Sequence, residues 1–112
     1  MGCVTKEEWE RLANLVAAAG GRPGMYTGDT DSLLAFNAFL TGVFSAAAPP
    51  LLREFNDHVE ARFGTGPFSG FGMIAWTKRQ EAPEIMDREL ISEVGEYASA
   101  FLREKAGKEF FQ

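Results

Sequence analysis

The chain holds one cysteine and one histidine in 112 residues, and that scarcity sets its first limits. A single thiol, Cys3, makes no disulfide within the chain, so the fold does not call for an oxidising compartment and a cytoplasmic protein is expected. With one imidazole, His58, and no pair of metal ligands at i, i+4 on any expected helix, the sequence suggests no metal centre, no catalytic residues and no cofactor. Cys3 would need His58 as its base, and no spacing argument joins them. Long apolar runs are also missing: Leu12 to Gly20 is interrupted by Asn14, and Val43 to Leu52 by Ser45, Pro49 and Pro50. Both fall far short of the ~20 residues a membrane span needs. The opening residues show no signal-peptide pattern, and position 6 is Lys where a myristoylation signal wants Ser or Thr.

Positive charge is in short supply as well. Eleven Lys and Arg face sixteen Asp and Glu, for a net charge of −5, which repels phosphate backbones and anionic lipid. Neither nucleic acid nor membrane is expected as a partner. The imbalance is local, since seven acids and two bases lie between Glu81 and Glu104 while the rest of the chain balances. Asp87 opens that stretch, and Glu89, Glu93 and Glu96 follow at spacings that share one helix face, away from Leu90 and Val94. Such a face keeps a helix solvated, or it meets a basic protein surface.

What is abundant is bulk. A hydrophobic share of 46%, with ten Phe and two Trp, is enough to close one core. The spacing predicts a helix over about residues 5–19, with Thr5 and Glu8 as a capping box and Trp9, Leu12, Ala13 and Val16 on its apolar face. A second helix, capped by Asp29, Thr30 or Asp31, carries Leu33, Phe36, Leu40, Val43, Phe44 and Ala47 on a stripe with Phe39 beside it. Pro49 and Pro50 suit the first turn of a third helix that buries Leu51, Leu52, Phe55, Val59 and Phe63 and ends at Gly64 to Gly66. The last helix runs to about Lys105, with Leu90, Val94, Tyr97, Ala98 and Phe101 inward and Gly107 as its stop. Residues 64–80 hold too many glycines for periodicity to decide and are read as irregular with room for one short strand. The expected fold is mainly α: a single domain over residues 1–112, a compact bundle of about four helices with this Gly/aromatic-rich segment.

Two segments carry candidate function. The glycines at 64, 66, 70 and 72 have no preceding apolar strand and no following Lys-Ser or Lys-Thr, so they do not make a phosphate loop. Phe68, Phe71 and Trp76 within this segment are candidate partner contacts, alongside Asp87, Glu89, Glu93 and Glu96. The other segment is Arg22-Pro23-Gly24-Met25-Tyr26-Thr27-Gly28, read as a structural turn in which Gly24 takes a positive φ and Arg22 and Tyr26 reach Asp29 or Asp31.

Arg22 to Thr30 resembles the N-terminal motif of the gyrase B and topoisomerase ATPase domains of the Bergerat fold. That family continues with an acidic general base and a magnesium-binding Asn on one helix, then Asp-x-Gly-x-Gly. Here no acid lies between Asp31 and Glu54, Asn37 stands alone, and no Asp-x-Gly-x-Gly occurs. A broader pattern combines an opening helix, Arg-Pro-x-Met-Tyr-x-Gly, the aromatic-rich Leu34 to Gly42 helix, a third helix ending near Arg62-Phe63 and an acidic closing helix. It is similar to small bacterial immunity proteins encoded beside secreted toxins. That resemblance implies a non-enzymatic protein-binding inhibitor that occludes the active site of a basic toxin domain. A degenerate nucleotide-binding module, or a regulatory protein binding a host factor, are the other readings.

Overall fold

Thr5 starts the first helix as its spacing predicts: its hydroxyl accepts from the Glu8 amide at 3.1 Å, and the Glu8 carboxylate accepts from the Thr5 amide at 3.3 Å. A cap of this kind stabilises a helix by about 1 kcal/mol. The computed structural model describes residues 4–29 and 31–110, and six helices lie within them, with no strand among the described residues. They are α1 (Lys6–Gly21), α2 (Pro23–Thr27), α3 (Leu33–Ala47), α4 (Leu51–Phe63), α5 (Gly70–Glu81) and α6 (Asp87–Phe110). Cys3 and Thr30 lie outside the described residues.

The fold is mainly helical as expected, and four details differ. Residues 70–81 are a helix, where the sequence reads 64–80 as irregular with room for one short strand. Gly70 and Gly72 sit in its first turn, where they cost the helix least, and Phe71, Ile74 and Ala75 are buried at helical spacing. Pro23 to Thr27 is a short helix in place of an open turn, with Pro at its first position as that residue favours. Its positive φ belongs to Gly28, at 82°, and not to Gly24. The closing helix continues through Gly107, which is accommodated because a single glycine weakens a helix by only about 1 kcal/mol. The helix count therefore rises from about four to six. The N-cap of α3 is Ser32, one residue beyond the Asp29, Thr30 and Asp31 that the sequence suggests, and its hydroxyl accepts from the Ala35 amide at 3.0 Å.

The longest contact in the fold is between α1 and α6, which run antiparallel: Gly20 meets Gly95 at one end, and Ala13 meets Ser99 further along. A Cβ on Gly95 would stand 3.0 Å from the Gly20 Cα, so the two backbones touch where neither residue has a side chain. Buried Ser99 donates to the Ala13 carbonyl at 2.9 Å, while Arg103 donates to Ser99 and to Asn14, both at 2.6 Å. At the far end Lys105 reaches Glu54 at 2.5 Å and lies over the Trp9 ring, joining α6 to α4 and α1.

The core closes around phenylalanines from four helices. Phe55 of α4 lies 4.5 Å from Phe71, 5.2 Å from Phe44 and 5.1 Å from Phe101 between ring centroids. Edge-to-face and offset pairs of this kind contribute about 0.5–1.5 kcal/mol each beyond area burial. Pro50, with φ −85°, is the N-cap of α4 just before its first turn, and Leu51, Phe55 and Val59 then face this cluster. Phe71 seats the start of α5 against Phe44 of α3 and Phe55 of α4, and Gly72, Ala75 and Trp76 of α5 face Leu33, Leu34 and Asn37 of α3.

Candidate interaction surface

That arrangement leaves a groove of about 400 Å³ between the first turn of α3 and the length of α5. Leu33, Leu34 and Asn37 form one wall, Gly72, Ala75, Trp76, Arg79 and Gln80 the other, with Phe68 and Leu90 completing it. Phe68 lies across Gly72, where a Cβ would be 3.4 Å from its own Cβ. Leu34 is 82% exposed and Phe68 56%, so two large apolar side chains stand at the opening. Water solvates such carbon surface poorly, and a contiguous exposed apolar patch marks an interaction surface far more often than scattered residues do.

Few polar groups serve the groove. Asn37 Oδ1 is buried without a hydrogen-bond partner among the described residues, an arrangement that leaves a carbonyl-type acceptor unpaired. The Arg79 guanidinium is already committed, donating to Asp87 at 2.6 Å and to the Ile85 carbonyl at 3.4 Å. This clamp fastens the end of α5 to the start of α6, with Met86, 61% exposed, between the two residues it grips.

The sequence-selected contacts divide on this frame. Phe68 and Trp76 come together in the groove. Phe71 does not: it is buried in the phenylalanine cluster, 5.1 Å from Phe44 and 4.5 Å from Phe55 between ring centroids. Glu89 and Glu96 are exposed on α6. Glu93 is 3.7 Å from Lys78, and Asp87 is held by Arg79, so α5 neutralises part of the acidic face. Leu34, Asn37 and Arg79 were not singled out by the sequence. The signal for Leu34 was present, as a large apolar residue off the inward stripe of α3.

In the Arg22 to Gly28 segment, Pro23 is buried, Gly24 is half-buried, and Arg22 and Met25 are exposed. Tyr26 does not reach Asp29 or Asp31 but sets its ring 5.9 Å from Phe39. Asp29 instead accepts from the Asp31 amide at 2.9 Å, shaping the entry to α3.

A second polar cluster joins α4 to α6. The Tyr97 hydroxyl and His58 Nδ1 are 2.8 Å apart, and the Arg62 guanidinium lies over the Tyr97 ring at 5.4 Å. Burial raises the Tyr97 pKa above its ordinary value, opposed by the Arg62 charge and assisted by Glu104. Among the described residues no group of His, Cys, Asp and Glu gathers as a metal site, and no helix is long and apolar enough to cross a membrane. The chain matches no family model, no curated protein and no solved structure.

Proposed function

We propose that the chain is a protein-binding inhibitor, an immunity protein that neutralises a cognate bacterial toxin by covering its active site. The observation that carries the reading is the outward acidic surface of the α5–α6 corner beside an exposed apolar groove. Glu81, Glu84, Glu89 and Glu96 are exposed and make no ion pair among the described residues, while α6's other face is locked into the core by Leu90, Ile91, Val94 and Ala98. Charges mounted this way cost the fold little and are available to a cationic surface such as the substrate site of a nuclease. The Arg-Pro-x-Met-Tyr-x-Gly resemblance points to the same class.

The test is co-expression with the toxic domain encoded beside this chain's gene. A stoichiometric complex, together with restored growth and blocked toxin activity in vitro, supports the reading. A pure chain that neither binds nor protects against that domain overturns it.

A further inference from the structure

We infer that the α3–α5 groove docks a partner segment carrying a large apolar side chain, Leu or an aromatic, flanked by Lys or Arg. This deepens the protein-binding reading above and rests on it. The groove's volume of about 400 Å³ suits one or two large side chains, and its walls are mostly carbon. Its one cationic lining residue, Arg79, is spent on Asp87, so nothing in the groove recruits an anion.

Its surroundings are acidic on balance on both sides, with Arg88 an exposed base beside Glu89. Asp29 and Asp31 precede the Leu33 wall, and Glu81, Glu84 and Glu89 flank the wall that ends at Gln80 and Leu90. All five are exposed, and none has an ion pair among the described residues. A basic apolar segment therefore matches the groove in both respects: carbon in the middle and positive charge at the edges. A second copy of this chain would bring acid against acid, and a nucleic acid would bring phosphate against acid.

The probe is the capped peptide Lys-Lys-Trp-Leu-Lys-Lys titrated into the ¹⁵N-labelled full chain. Two controls accompany it, one with every Lys replaced by Glu and one with Trp and Leu replaced by Ala. The expected result is saturable shifts of the Leu34, Asn37 and Gly72 amides and of the Trp76 indole, with each control about ten-fold weaker or worse. Leu34→Ser and the Glu81→Gln, Glu84→Gln, Glu89→Gln triple should each weaken the basic peptide to a similar degree, and both change exposed side chains, so folding should hold. No shift at these residues, equal binding of the Glu control, or groove shifts that follow chain concentration without peptide would each overturn the inference. The last outcome would make the groove an interface between copies.

The two readings fail separately. If the chain neutralises the neighbouring toxin and Leu34→Ser does so equally well, the groove assignment fails while the inhibitor reading stands. If the basic peptide occupies the groove but no toxin is neutralised, the inhibitor reading fails and the groove assignment stands.

Discussion

Single residues in this protein act mainly through what lies directly against them. Tyr97 is the clearest case, because burial holds its phenol in the neutral form. A phenol whose folded pKa is raised contributes stability that is complete below the unfolded value and is lost as pH rises from there through the raised folded value. The unfolded chain ionises first above pH about 10, so stability should fall there. Tyr97→Phe should flatten that alkaline loss, although it also removes the 2.8 Å contact to His58 and lowers stability near neutrality. Urea midpoints of both chains between pH 7 and 11 check this, and parallel curves would contradict it. A second residue-scale prediction separates two glycines. Gly28→Val should destabilise by about 1 kcal/mol or more, because its φ of 82° suits few side chains, whereas Gly24 has no such φ and its replacement should cost less. Melting temperatures of the two variants decide it.

At the scale of elements, the α1–α6 pair depends on an absence of side chains. Gly95→Ala would place a methyl 3.0 Å from the Gly20 Cα and 3.4 Å from Phe36, against backbone that cannot step aside cheaply. Overpacking of this kind costs about 1–3 kcal/mol, more than the helix propensity that Ala brings, so the variant should melt lower. An unchanged or raised melting temperature would show that the helices can part. Ser99→Ala should also destabilise, by about 1–3 kcal/mol, because it removes the buried donor to the Ala13 carbonyl of α1 and one of the two acceptors of Arg103, which keeps only Asn14.

Elements with local signals were the legible ones. Thr5 and Glu8 mark α1, the Pro pair marks the break before α4, and the stripes of α3 and α6 identify their inward faces. The α5 helix was hidden because four glycines within nine residues hide the spacing of Phe71, Ile74 and Ala75, a spacing that depends on burial supplied by Phe55 and Phe44. The groove was hidden with it, since one of its walls is α5. The acids of α6 were legible one by one, but their neutralisation by Lys78 and Arg79 depended on which side of α5 faces α6.

For the molecule as a whole, the proposed function pairs a charged surface acting at a distance with an apolar groove acting on contact. The surface should steer a basic partner, since complementary charge raises association well above the neutral ~10⁵–10⁶ M⁻¹s⁻¹. Of the acids on and before α6, Glu84, Glu89 and Glu96 are exposed, while Glu93 and Asp87 are partly neutralised by α5. The direct measurement is the association rate with the basic toxin domain that the proposed function calls for, for the wild type and for the Glu84→Gln, Glu89→Gln, Glu96→Gln variant, each at low and at moderate salt. The account predicts that the variant associates several-fold more slowly at low salt, keeps its fold, and loses less rate on adding salt, because ions screen charges beyond about 10 Å at 0.1 M. One rate shared by all four conditions would contradict it and leave the acidic surface as a solvated face.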